Sequence, residues 1–316
     1  MKVLIGYDGS ECADAAIDDL KSAGLPKTGE ALVLSIADVF VPPPINEEVD
    51  NTFPMYVPDG VRRAHERAKR KLKQAEAMAE RAAEQVRKAF PEWQVRHEAL
   101  AQSPAWALIS KADQWKPDLI AVGAHGHSVL GGRLILGSIS QRVLYEASCS
   151  VRVARRKQRD RDSPLRLLIG VDNSSNSNAA VDAVSQRHWP SGTEVRLLTV
   201  VDIVMAIPSD PAEPSTMKWI EVGDEENWDQ VRDIFKPSVE KLRSAGLDAA
   251  VMIRRGNPKD EVVEEAESWG ADCIFVGAKG VRGIDRLLLG SVSSAVSARA
   301  RCSVEVVREK KPSGSK

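Results

Sequence analysis

The stretch Asp118-Leu-Ile-Ala-Val-Gly123-Ala-His-Gly126, continued by Arg133-Leu-Ile-Leu-Gly137-Ser138-Ile-Ser140 and Cys149-Ser-Val-Arg-Val153, decides the fold, because the chain contains it twice. The second copy reads Asp272-Cys-Ile-Phe-Val-Gly277-Ala-Lys-Gly280, Arg286-Leu-Leu-Leu-Gly290-Ser291-Val-Ser293 and Cys302-Ser-Val-Glu-Val306. The offsets are 277 − 123 = 154 and 302 − 149 = 153. Each copy therefore ends with an apolar strand, a glycine loop, a Gly-Ser turn and a last strand. Loops that bind phosphate are built in that order.

A chain of 316 residues with a repeat this long holds two whole domains, not a solenoid. The expected bounds are 1–156 and 163–308, joined by the charged run Arg155-Arg-Lys-Gln-Arg-Asp-Arg-Asp-Ser163. A net charge of −1 exerts no global pull on nucleic acid or acidic lipid. Met1-Lys-Val-Leu-Ile-Gly6 enters a strand pattern at once, without signal-peptide anatomy. No apolar run is long enough to cross a bilayer, so the expectation is a soluble, cytoplasmic chain. The four cysteines form no CxxC cluster, which argues against a disulfide or a zinc site.

In both copies strands alternate with helices. Copy one reads as strand 3–6, a helix from Ser10 to about Leu20, strand 31–39 and a Pro-rich excursion over 41–60. A long amphipathic helix from Val61 to Phe90, a strand near 95–99 and a helix from Pro104 follow. Copy two repeats this order, with an acidic, Pro-containing loop expected over Ile207–Glu226. Alternation of this kind predicts two tandem doubly wound, Rossmann-like α/β domains, each a five-stranded, mostly parallel sheet with helices on both faces. In such sheets ligands bind at the carboxyl ends of the strands.

A polyphosphate must come close to backbone N–H groups, where a Cβ would obstruct it. Gly123 and Gly126 lie just past a strand, and Gly137-Ser138 precedes a helix whose dipole favours an anion. One such set is equally consistent with ordinary turn glycines. Two sets in the same order point to a site.

The pattern Gly-x2-Gly-x9-Gly-Ser after an apolar strand resembles the ATP-binding motif of the universal stress protein family. The Asp-Gly-Ser after the first strand and the Cys-Ser-Val of the last are similar too. The likeness spans nearly the whole chain as two tandem domains. Copy two keeps the nine-residue spacing, Val281 to Leu289, whereas copy one has ten residues, His127 to Leu136. The extra residue falls at Gly131-Gly132.

The resemblance implies that Asp8 and Asp172 hold the nucleoside end and that the backbones at Ile36 and Val200 border adenine. It places Gly123, Gly126, Gly277 and Gly280 beside the ribose and phosphates. Gly137, Ser138, Ser140, Gly290, Ser291 and Ser293 would grip the phosphates, with His125, Ile139 and Val292 alongside. Arg133 and Lys279 are candidate phosphate contacts on their charge alone. The implied ligand is ATP, with AMP or ADP as alternatives and Mg²⁺ accompanying the phosphates. The implied role is a nucleotide-dependent stress or regulatory protein with an unknown protein partner, in which the two domains form an intramolecular pseudo-dimer through their last strands. A further homodimer is also open.

Other signals fail. His125-Gly-His127 lacks the carboxylate or cysteine support of a metal site. The basic run Arg62–Lys73 decorates a helix and reads as a solvated face. Trp115 and Trp269 read as packing residues at helix ends. No Gly-x4-Gly-Lys-Ser/Thr loop is present. An ATP pyrophosphatase-type enzyme would carry Ser-Gly-Gly-x-Asp-Ser after its first strand. This chain has Gly-Tyr-Asp-Gly-Ser-Glu and Gly-Val-Asp-Asn-Ser-Ser there, and no base–nucleophile set beside them. Catalysis is not expected. A scaffold with vestigial sites is the third reading.

Overall fold

The structure, a computed structural model, describes residues 1–39, 58–125, 136–155, 163–201, 204–210, 213–221, 228–279 and 289–309, with the backbone alone for 204–210 and 213–221. In the first half β1 (Lys2–Gly6), β2 (Gly29–Ala37), β3 (Trp93–Ala101), β4 (Leu119–Gly123) and β5 (Ser150–Ala154) alternate with α1 (Glu11–Leu20), α2 (Asp59–Ala89), α3 (Pro104–Trp115) and α4 (Ser138–Glu146). In the second half β6 (Arg166–Gly170), β7 (Glu194–Val201), β10 (Asp248–Arg255), β11 (Cys273–Gly277) and β12 (Ser303–Val307) alternate with α5 (Ser175–Ser185), α6 (Trp228–Ser244), α7 (Pro258–Trp269) and α8 (Ser291–Arg299). The strand order is β10-β7-β6-β11-β12-β5-β4-β1-β2-β3. Within this ten-stranded sheet each half is parallel throughout. The first half reverses direction between β1 and β4 and the second between β6 and β11, so each has a switch point there.

The two halves join through their last strands. β12 and β5 run antiparallel, with Val304 opposite Val153, Glu305 opposite Arg152 and Val306 opposite Val151. On one face these four valines sit in a core that runs unbroken from Leu32 and Leu108 in the first half to Val262 and Val296 in the second. The other face has a separate core in each half, built on Ile5, Ile17 and Val33, and on Ile169, Val181 and Phe235. Burying an unpaired strand edge of this kind removes a template for aggregation.

Local sequence accounts for much of this. Ser10 and Ser174 cap their helices, accepting from Ala13 N and Ser177 N at 3.2 Å each, as hydroxyls at this position do. In α2 the apolar stripe buries Ala68, Ala75, Ala79, Ala82 and Val86, leaving Arg62–Lys73 mostly at the surface. One expectation is corrected. Much of the span read as a loop over Ile207–Glu226 is a β-hairpin, β8 (Val204–Asp210) paired antiparallel with β9 (Glu213–Glu221). Its register shifts between Pro208 and Asp210, the kind of irregularity at which a strand tolerates proline. The Pro-rich segment 41–57, the linker residues 156–162 and Gly131-Gly132 lie outside the described residues.

Candidate functional site

At each switch point two loops meet. In the first half the loop after β1 is fixed by Tyr7 N, which donates to Leu34 O at 3.0 Å. Asp8 Oδ1 then accepts from Ser10 N at 3.0 Å. Between them Gly9 takes φ +77°, which glycine adopts without strain. The second half does the same with Val171 N to Leu198 O at 2.9 Å, and Asp172 Oδ1 accepts from Ser174 N at 3.1 Å and Ser174 Oγ at 2.6 Å. Asn173 stands where Gly9 stood, at φ +61°, the left-handed region that Asn tolerates better than other side chains. Asp8 and Asp172 thus shape their own turns at the mouth of each site.

Opposite these loops, α4 and α8 begin. Each starts on a glycine N-cap in extended conformation, Gly137 at φ −61°, ψ 147° and Gly290 at φ −63°, ψ 151°, with no side-chain hydrogen bond to the cap. Gln141 N and Ser294 N are the first to reach helical acceptors, the carbonyls of Gly137 and Gly290 at 2.8 and 2.9 Å. By helix geometry the amides of Ser138, Ile139 and Ser140, and of Ser291, Val292 and Ser293, point out of the helix starts. Three outward amides at the positive end of a dipole form an anion site.

Four of the sequence expectations change meaning here. The N–H groups of Gly137 and Gly290 donate to the Ala124 and Ala278 carbonyls at 2.8 and 2.7 Å, so they anchor the turn and are not offered to a phosphate. The hydroxyls of Ser140 and Ser293 are buried and donate to the Gly123 and Gly277 carbonyls at 2.7 and 2.6 Å. They tie helix to strand end, and what these residues leave facing outward is their amides. The glycines Gly123 and Gly277 are needed by the protein itself. A Cβ on Gly123 would lie 2.6 Å from the Cys12 carbonyl oxygen, and one on Gly277 2.6 Å from the Asn176 carbonyl carbon. The first turns of α1 and α5 occupy the space that a side chain at either glycine would need. Finally, His125 has its basicity lowered by burial and then by Arg155, which favours the uncharged imidazole at neutral pH.

Ile36 and Val200 lie at the carboxyl ends of β2 and β7, next to the strands that carry the Asp loops. Their outer neighbours differ, Leu100 for Ile36 and Arg254 for Val200. Lys279 follows β11 at the mouth of the second site, and its Cα would lie 3.4 Å from a Cβ on Gly290. Gly126, Arg133 and Gly280 fall outside the described residues. Trp115 and Trp269 are at the opposite sheet edge. Lys2 and Arg96 lie over the first ring at 5.5 and 5.8 Å, and Arg196 over the second at 4.2 Å. They pack and pair with cations.

The sequence reading missed Arg155 and Arg308. Each follows the last strand of its half and reaches across the junction. Arg155 Nη2 donates to Ser297 O at 2.5 Å, and Arg308 Nη2 to Leu144 O at 2.5 Å. The signal was in the repeat, since 308 − 155 = 153.

The fold defines a tandem α/β protein with a candidate anion site, an uncapped helix start, at the switch point of each half. The universal stress protein family model matches residues 1–155 and again 165–308, and the chain belongs to that family. A universal stress protein of Mycolicibacterium smegmatis is 28% identical over 318 residues, covering 97% of this chain and 96% of its own length. The universal stress protein YxiE of Bacillus subtilis is 27% identical over 151 residues, 45% of this chain and 98% of the relative. The crystal structure of a universal stress protein from Archaeoglobus fulgidus superposes with a TM-score of 0.63 at 18% identity, covering 98% of both chains. Among the described residues, no helix is long and apolar enough to cross a membrane.

Proposed function

We propose that each half binds one adenine nucleotide, ATP in the first instance, and that the protein acts as a nucleotide-dependent regulatory binder, not an efficient catalyst. The observation that carries this reading is the pair of helix starts without side-chain caps, each locked to its strand end by a buried serine hydroxyl and a glycine N–H. Donors fixed in advance bind an anion without the cost of ordering them.

The phosphates would rest on the amides of Ser138–Ser140 and Ser291–Ser293, with the Ser138 and Ser291 hydroxyls beside them. The nucleoside would lie towards the Asp8 and Asp172 loops and the strand ends at Ile36 and Val200. Mg²⁺ would ride on the phosphate oxygens and water.

Rapid hydrolysis would need an aligned water or nucleophile and groups acting more strongly on the transition state. Near the first loop Tyr7 is pushed up to about 12 by burial, then by its hydrogen bond to Asp14, and stays protonated at neutral pH. His125 stays neutral. Neither Tyr7 as a base nor His125 as an acid is poised for proton transfer.

The test is Ser138→Pro and Ser291→Pro. Proline suits the first helical position, and the extended glycine before it is the conformation a following proline demands. Each variant deletes one amide and one hydroxyl while the helix stands. Calorimetry should show the affinity of that half falling at least about tenfold, the loss expected for hydrogen bonds to a charged group. Unchanged affinity in both halves of a folded double variant would reject the site.

A further inference from the structure

The junction between the halves is nearly two-fold symmetric in backbone but not in side chains, and its asymmetry is complementary. On the symmetry axis Arg152 faces Glu305, and these are equivalent positions of the repeat, since 305 − 152 = 153. Both side chains are buried, 1% and 0% exposed, with Arg152 Nη1 3.1 Å from Glu305 Oε2. Arg152 Nε also meets Asp19 at 2.5 Å, and Arg187 Nη1 donates to Glu305 at 2.9 Å. Ser303 Oγ of the second half completes the set by donating to Asp19 at 2.7 Å.

A second asymmetry lies beside the first. The helices and strands of the outer part of each half are offset by 174 − 10 = 164 and 195 − 31 = 164, so Gly24 corresponds to His188 and Leu25 to Trp189. Gly24 sits under the Trp189 ring, where a Cβ would come within 2.8 Å. His188 N donates to Gly24 O at 2.9 Å, and Arg187 Nη1 to Ala23 O at 3.1 Å. The Trp189 ring also meets the edge of Phe275 at a centroid distance of 6.1 Å.

We propose that these residues form a pairing code. The β5 edge with Ala23-Gly24 accepts the β12 edge with Arg187-Trp189, and neither edge accepts a second copy of itself. Charge alone would not enforce this, because each half carries its own counter-ion, Asp19 for Arg152 and Arg187 for Glu305. Self-pairing would nonetheless set Arg152 against Arg152 or Glu305 against Glu305 at a buried position of the strand pair, where like charges repel with little screening. Two second halves would drive Trp189 into His188, where even one carbon is too many. Two first halves would set Leu25 opposite Gly24 and leave the tryptophan-sized space unfilled. Specificity by building cost into the wrong pair is a general device of interfaces. A duplicated domain needs it, because otherwise two chains could associate through like halves.

The test replaces residues 156–162 by a protease site, cleaves the folded chain, unfolds it in urea, refolds it and weighs the pairs by native mass spectrometry. The halves differ in mass, so all three pairs are distinguishable. The mixed pair should exceed each self-pair by at least about tenfold, whereas pairs in statistical proportion would overturn the proposal. A second reading uses the uncleaved chain and does not depend on refolding of the pieces. Arg152→Gln, Glu305→Gln and the double variant are unfolded in urea. The two losses should be coupled by at least about fivefold in the unfolding constant, and strictly additive losses would overturn the part assigned to the Arg152–Glu305 pair.

Discussion

Arg155 and Arg308 cap each other's halves. Arg155, at the end of the first half's last strand, donates to Ser297 O in the final turn of α8, and Arg308 donates to Leu144 O in the final turn of α4 and to Cys149 O at 3.2 Å. A cation at a helix carboxyl end stabilises the helix and its dipole. The helix whose start forms the candidate anion site in one half is therefore held at its other end by the opposite half. Both arginines have their basicity lowered by burial, partly countered by nearby cysteines.

Arg308→Ala should loosen α4, which belongs to the other domain. Hydrogen exchange of the α4 amides should accelerate while α8 is little changed, and nucleotide affinity in the first half should fall about two- to fivefold. Arg155→Ala should do the reverse. Equal effects on both helices would contradict the crossed arrangement.

The glycines of the two loops should differ in tolerance. Gly123→Ala and Gly277→Ala place a carbon against helix backbone at 2.6 Å, so each should destabilise the chain by about 1–3 kcal/mol or more. Gly290→Ala meets its nearest neighbour, Ala278 O, at 3.2 Å in an ordinary backbone conformation and should cost less. Urea unfolding gives the order, and a costlier Gly290→Ala would overturn it.

Ser140→Ala and Ser293→Ala remove the hydroxyl that ties helix start to strand end. Each should cost about 1 kcal/mol of stability. Their effect on nucleotide affinity should be smaller than that of Ser138→Pro or Ser291→Pro, because the outward amides remain. Denaturant midpoints and calorimetry on the same samples separate the two effects.

Acid should weaken the junction through Glu305. Burial alone would raise its carboxyl, but Arg187 and then Arg152 outweigh burial and hold it below the ordinary value. A carboxyl depressed in the folded state contributes stability that is complete above its unfolded value and is lost as pH falls through its folded one. The unfolded value is about 4.3. The parent's urea midpoint should therefore drop below about pH 5 more steeply than that of Glu305→Gln, and parallel curves would reject Glu305 as the source.

Much of this architecture could be read from the chain, because it rests on local patterns. Ser10 signalled a helix start, and the apolar runs 119–122 and 273–276 signalled buried central strands. The meeting of the last strands followed from the family resemblance together with their short apolar edges, whereas its antiparallel sense is seen only in the structure. The role of Gly123 could not be read, because a glycine that admits a ligand and one that admits Cys12, over a hundred positions earlier, look alike in sequence. The partner of the Ser140 hydroxyl could not be read either, since its acceptor is a backbone carbonyl that no side-chain pattern encodes. The hairpin 204–221 was masked by its prolines and acids, which are loop-like in composition.

The central claim is that each half holds one adenine nucleotide without turning it over quickly. Native mass spectrometry of the purified chain titrated with Mg·ATP tests it most directly, with phosphate release followed on the same samples. The account predicts two nucleotides per chain for the parent at saturation, filling of the second half in Ser291→Pro only at a nucleotide concentration at least about tenfold higher, and turnover well below the roughly 1 to 10³ per second of ordinary enzymes. No bound nucleotide, an unchanged filling curve for Ser291→Pro, or hydrolysis at an enzyme's rate would contradict it.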